Sequence, residues 1–145
     1  MTILPLYAAP QHAPQVTEWL WQAFGGETLP QAFFASIVAH SQTPGALPLT
    51  FIAVEGELLL GTVGLWRCDL ISRQDLFPWM AALYVAEAAR GQGLAGKLQR
   101  HVIDSTKSLG MLIPALLTTA SMVPKRSTVA ETAASTCSLE VTSTF

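Results

Sequence analysis

The stretch at positions 85 to 98, VAEAARGQGLAGKL, carries the most specific chemical pattern in the chain. Gly91, Gly93 and Gly96 spell G-x-G-x-x-G, and in a shifted frame Arg90, Gly93 and Ala95 spell R-x-x-G-x-A. Both patterns describe the same physics. Glycines let the backbone approach an anion with no side chain in the way. A helix that opens behind them offers unpaired N–H groups and the positive end of its dipole to a phosphate. Arg90 adds a cation beside that helix start, where a dianionic ligand rewards one.

The two frames imply different ligands. A dinucleotide site, and with it an oxidoreductase, wants its first glycine close behind a strand and an acidic residue about 20 positions on for a ribose hydroxyl. Here Ala86 to Arg90 separate Val85 from Gly91, Asp104 comes too early, and MLIPALL near position 113 has no carboxylate. The lone G-x-G-x-x-G is a weak signal, and the dinucleotide reading ranks behind the other frame.

Such a loop needs a strand before it and a helix after it. PWMAALYV (78–85) is an apolar run of strand length, and Leu94, Leu98, Val102, Ser105 and Leu109 recur at steps of three or four, predicting a helix that Gly110 caps. Upstream, TILPLY (2–7) predicts a first strand. Val16, Trp19, Leu20, Ala23 and Phe24 predict a helix from Ala13 to Phe24, stopped by Gly25-Gly26. Thr28 as N-cap and Pro30 in the first turn open a second helix, with Leu29, Phe33, Ile37 and His40 along one face. Trp19, Trp21, Phe33 and Phe34 read as core or as the wall of a groove. LTFIAV (49–54), the turn EGE and LLLGTVGLWRCDL (58–70) form a β-hairpin, where Gly61 and Gly64 mark a bulge or a close backbone approach. The order of helices, hairpin, strand, glycine loop and helix predicts an α/β or α+β domain.

Composition narrows the partners. A chain of 145 residues is long enough for one compact domain and short for two. It is 50% apolar and 12% charged with a net charge of −2, which gives no basic face for nucleic acid. Cys68 and Cys137 lack metal-type spacing and point to a reduced, cytoplasmic protein with no metal. The start, MTILPLYAAPQHAPQ, lacks the pattern of a signal peptide, and no apolar window reaches the length of a membrane span.

The segment LYVAEAARGQGLAGKLQRHVID resembles the signature of the GNAT superfamily, the acetyl-coenzyme-A-dependent N-acyltransferases: a strand ending in L-x-V, a short spacer, then R-G-x-G-(I/L)-(A/G) opening a long helix. The resemblance covers residues 1 to about 110. It implies a mixed, mostly antiparallel central sheet flanked by helices in a single domain spanning 1–145. It implies acetyl-CoA as cosubstrate, with its pyrophosphate on Arg90, Gly91, Gln92, Gly93, Leu94 and Ala95 and further donors or charge from Gly96 and Lys97. Leu83, Tyr84 and Val85 would lie along the pantetheine arm, where the family's bulged strand splays from the next one. The Val85 N–H would meet the thioester carbonyl. The implied reaction is direct attack by an amine of a small molecule or protein within a ternary complex; the alternative in the same frame is a coenzyme-A-binding protein without catalysis.

Two parts of the pattern stay open. The amine needs a base near neutrality, and Glu55, Glu57, Glu87, His40 and His101 are titratable, yet none is singled out; the glutamates and His101 read as exposed. From about Met111 the chain departs from the family: the last 35 residues have no tyrosine, the usual acid for the leaving thiolate, and are rich in Ser, Thr and Ala, the look of an altered C-terminus. There PALLTT (114–119) predicts a fifth strand, VAETAA (129–134) a helix and SLEVTSTF (138–145) a strand. An unfinished sheet edge also allows two copies to pair as a homodimer.

Overall fold

The computed structural model describes residues 1–111 and the backbone of Ala115–Leu116. Its strands are β1 (Thr2–Pro5), β2 (Leu49–Glu55), β3 (Leu58–Trp66), β4 (Trp79–Val85) and β5 (Ala115–Leu116); its α-helices are α1 (Ala13–Leu20), α2 (Gln31–His40) and α3 (Leu94–Ser108). The strands form one sheet in the order β1-β2-β3-β4-β5, antiparallel from β1 to β4, with β5 parallel to β4 through Trp79↔Ala115 and Met80↔Leu116. This is the mixed, mostly antiparallel sheet the sequence implied. The expected VAETAA helix and SLEVTSTF strand lie outside the described residues, as does PALLTT apart from Ala115–Leu116. Among the described residues no helix is long and apolar enough to cross a membrane.

Two cores sandwich the sheet. On one face Leu94, Leu98 and Val102 of α3 pack on Leu49, Phe51, Ala53, Val63, Leu65, Met80 and Val85. On the other, Val16 and Leu20 of α1 and Phe34 and Val38 of α2 pack on Ile52, Val54, Leu59 and Ala81. β2 is therefore buried on both sides, which is why LTFIAV reads as an unbroken apolar run instead of an alternating one. Thr50 turns its hydroxyl toward α2 and donates to Ser41 Oγ at 2.9 Å, and Ser41 Oγ in turn donates to the Ile37 carbonyl at 2.8 Å. The pair satisfies two buried hydroxyls and ties the sheet to the end of α2.

Some boundaries move from the expected ones, each for a physical reason. The first strand stops at Pro5, a residue with no N–H to continue a ladder, and Leu6–Ala8 turn as a 3-10 helix. The first helix is regular only to Leu20, and Trp21–Gly25 form a wider π-type turn. The second helix starts at Gln31 with Pro30 as its N-cap, while the Thr28 hydroxyl looks back to the Gly25 carbonyl at 3.4 Å. That start shifts the buried face: Phe34 is 2% exposed, whereas Phe33 is 41% exposed and Leu29 and His40 also face out. The second hairpin arm ends at Trp66 instead of Leu70.

α3 ends as expected at Gly110. With φ +69° this glycine lets its N–H reach the Lys107 carbonyl and the Met111 N–H reach the Thr106 carbonyl, both at 3.0 Å, closing a Schellman motif. One side chain of α3 contradicts its surroundings. Gln99 is 1% exposed, and neither its Oε1 nor its Nε2 has a hydrogen-bond partner among the described residues. An unpaired buried amide costs about 1–3 kcal/mol. Gln99→Leu, which keeps the volume and removes the polar atoms, is expected to stabilise the fold by about 1–2 kcal/mol, read as a higher denaturant midpoint at unchanged slope.

Candidate functional site

The site begins with a mismatch between β3 and β4. Gly64 pairs with Ala81 and Thr62 with Tyr84, so Ala82 and Leu83 together face the single residue Val63. The extra residue is taken up at Ala82, which has φ +52°, the one non-glycine with positive φ among the described residues. Because of it Ala81 and Ala82 both lie against the α1/α2 core, while Met80, Leu83 and Val85 lie against the α3 core. Gly61 lets the strands close again below the bulge: a Cβ there would stand 2.9 Å from the Tyr84 carbonyl and 3.1 Å from Leu98 Cδ1. This is the close approach that the glycines of β3 signalled.

Beyond the bulge, no strand among the described residues pairs with the far side of β4. The Ala86 N–H donates to the Leu60 carbonyl at 2.9 Å, so the alternation of an antiparallel ladder turns the N–H and C=O of Val85 away from β3. Among the described residues β5 pairs only with Trp79 and Met80, leaving Leu83, Tyr84 and Val85 without a strand on that side.

The chain then makes a 3-10 turn, Glu87–Ala89, and enters the glycine loop. Gly91 has φ +78° and Gly93, the N-cap of α3, has φ +73°. The first helical bond runs from the Lys97 N–H to the Gly93 carbonyl. No carbonyl or side chain among the described residues accepts the N–H groups of Gly91, Gln92, Gly93, Leu94, Ala95 and Gly96. Nothing lies within 4 Å of a Cβ built on Gly91, Gly93 or Gly96. The result is an open cradle of donors at the positive end of a 15-residue helix, suited to a phosphate group.

Arg90 does more than add charge. Its Nε donates to the Val85 carbonyl at 3.0 Å, and its guanidinium carbon stands 5.8 Å from the centre of the Tyr84 ring. It thus clips the loop to the end of β4. The Tyr84 ring meets Trp19 of α1, centroids 5.0 Å apart and planes at 45°. Trp19 entered the sequence reading only as core or groove wall; its partner is far away in sequence, so no local pattern could name it.

Of the titratable candidates, Glu55, His40 and His101 make their contacts away from this edge. Glu55 is exposed and 3.7 Å from the N-terminal ammonium, Glu57 is exposed, and Glu87 lies on the outer side of the 3-10 turn. His40 is exposed, with Nδ1 2.7 Å from the Ser36 carbonyl. His101 is not the exposed imidazole expected: it is half-buried with its ring edge on Phe51, centroids 4.9 Å apart, and burial holds its pKa below 6.5 against the opposing pull of Asp104. No three His, Cys, Asp or Glu side chains gather as a metal site among the described residues.

Known proteins sharpen the assignment. A family model described as the acetyltransferase (GNAT) family matches residues 13–122, and the chain belongs to that family. Solved structures share the fold. An Agrobacterium tumefaciens protein assigned as an acetyltransferase is 19% identical with a TM-score of 0.60, covering 95% of this chain and 92% of its own. A Clostridium acetobutylicum acetyltransferase solved with acetyl-CoA is 12% identical with a TM-score of 0.63, covering 82% and 81%. An Escherichia coli GNAT family N-acetyltransferase in complex with CoA is 29% identical with a TM-score of 0.53, covering 76% of this chain and 58% of its own. A comparison with curated protein sequences finds no match. The dinucleotide reading falls here, since that fold winds a parallel sheet and β1 to β4 are antiparallel.

Two outcomes follow from the site's geometry. Gly93→Ala places a side chain in open space but at φ +73°, and is expected to cost about 1–2 kcal/mol. Gly96→Ala, three residues into the helix, is expected to gain about 0.5–1 kcal/mol; chemical denaturation of the pair checks both signs. For His101, the folded pKa lies below the unfolded one, so the unfolded chain takes up the proton first as pH falls. The stability it contributes is present above pH 6.5 and lost as pH drops through the folded value. The melting temperature is expected to fall as pH drops below 6.5, and less so in His101→Phe, which keeps the ring on Phe51.

Proposed function

We propose that, as a member of this family, the chain is an acetyl-CoA-dependent N-acetyltransferase. The observation that carries this reading is the run of N–H groups from Gly91 to Gly96 that no described residue accepts, directly beyond a stretch of β4 whose far side no described strand pairs. Those groups, with Gln92 and Leu94 contributing through their backbone only, hold the pyrophosphate, and Arg90 and Lys97 add positive charge near it. Leu83, Tyr84 and Val85 pair with the pantetheine arm through the backbone, as a neighbouring strand would. The outward N–H of Val85 is aimed where the thioester oxygen gains charge, and stabilises it.

Bound acetyl-CoA supplies the reactive thioester. The amine nitrogen forms a bond to the acetyl carbon, the C–S bond breaks, and sulfur leaves with the electron pair. The proton released by the amine balances the one the thiolate takes up, giving an amide and the free thiol. The chain's own part is positional: the cradle fixes one end, β4 fixes the other, and a bound geometry replaces a chance encounter. We place the protein in the cytoplasm and read residues 1–145 as one domain.

One observation favours a second reading, a coenzyme-A-binding protein without turnover. Glu55 lies against the N-terminal ammonium, His40 against the Ser36 carbonyl and His101 against Phe51, so the contacts of these three offer the amine no base.

Thermal melting with acetyl-CoA tests the shared premise. Ligand at 100 times its dissociation constant stabilises by about 2.7 kcal/mol, a rise of several degrees for a domain of this size. The rise is expected to shrink in Arg90→Ala and to be absent with NAD. No rise with acetyl-CoA, or an equal rise with NAD, overturns the premise; acetyl transfer to amines, measured as released thiol, then separates the enzyme from the binding protein.

A further inference from the structure

We propose, resting on the premise that the chain binds coenzyme A, that Trp19 of α1 is a positioning residue for the coenzyme: through Tyr84 it orients the Arg90 guanidinium at the pyrophosphate loop.

A continuous series of contacts runs from the helix core to that loop. Val16 and Leu20, on either side of Trp19 along α1, are buried against the sheet. Glu18 accepts hydrogen bonds from Gln22 Nε2 and, at 3.0 Å, from Gln31 Nε2 at the start of α2. Trp19 is thus seated on a turn of helix held by the sheet below and by α2 beside it. Its indole meets the half-buried Tyr84 ring, centroids 5.0 Å apart. The Arg90 guanidinium carbon stands over that ring, 5.8 Å from its centre, and Arg90 Nε reaches the Val85 carbonyl at 3.0 Å.

The need for such support comes from Arg90 itself. It is exposed, and a long exposed side chain has much rotamer freedom to lose when it meets a ligand. One hydrogen bond at Nε ties the guanidinium at a single point and leaves its plane to turn. An aromatic face beneath it restricts that turn. Tyr84 supplies such a face only while its own ring is held, and Trp19 is the ring that meets it. With Nε on the strand carbonyl, Nη1 and Nη2, which no described residue accepts, are left oriented for the pyrophosphate. Trp19 therefore acts by preorganisation: the ordering cost is met in the fold and not on binding.

A double-mutant cycle on CoA affinity, measured by isothermal titration, tests this. Trp19→Ala is expected to weaken CoA about fivefold. Trp19→Phe, which returns a ring to Tyr84, is expected to recover most of that loss. In an Arg90→Ala background, where the backbone cradle keeps CoA binding measurable, Trp19→Ala is expected to cost less than about twofold. A helix merely loosened by loss of the indole would weaken CoA equally in both backgrounds. Where the denaturation curve shows Trp19→Ala unfolded, Trp19→Leu replaces it with the same expectation. Unchanged CoA affinity in the Trp19 variant, equal losses with and without Arg90, or no recovery in Trp19→Phe overturns the inference alone. Failure of CoA to bind the unmutated protein removes the premise itself, and this inference with it.

Discussion

Two residues of β4 oppose one of β3, and what this protein can hold depends on that miscount. A regular ladder would carry β4 straight along its neighbours, pairing every N–H and C=O. With Ala82 at φ +52°, the strand bends, and its last three residues have no partner among the described residues on their far side. The strain of a non-glycine residue at positive φ costs about 1–3 kcal/mol and persists because both cores over-determine the strand around it. Met80 and Val85 are anchored in one core and Ala81 in the other, so the bend has nowhere to relax.

The anion cradle draws on the same arrangement. A helix start offers donors wherever it occurs, but here α3 is held by Leu94, Leu98 and Val102, all fully or nearly fully buried. The donors are thus fixed relative to β4. Arg90 completes the link by joining the last carbonyl of the strand to the loop. Cradle and strand edge form one rigid unit, which is what positioning a long, flexible coenzyme requires.

Local patterns made much of this legible. The glycine loop, the helix behind it and the Gly110 cap all rest on residues within a few positions of one another, and the hairpin turn and the tight approach at Gly61 likewise. What stayed hidden was long-range or degenerate. The bulge falls in MAALYV, where alanine at position 82 announces no unusual φ. The choice between adjacent Phe33 and Phe34 turned on where α2 starts, and Pro30 set that two residues later than Thr28 suggested. The contact between Trp19 and Tyr84, and the half-burial of His101 against Phe51, join segments that the sequence keeps far apart.

Take Ala82 away on paper, and the strand heals. Met80, Leu83 and Val85 would still face α3, Ala81 and Tyr84 would still face the other helices, and the pairs with Gly64, Thr62 and Gly61 would fall into step. A chain shorter by that one residue would keep its buried side chains on their faces and have no bulge. In genetic terms a single codon separates a plain antiparallel strand from one bent at a fixed point, so an insertion of three nucleotides is enough to write the bend into a strand.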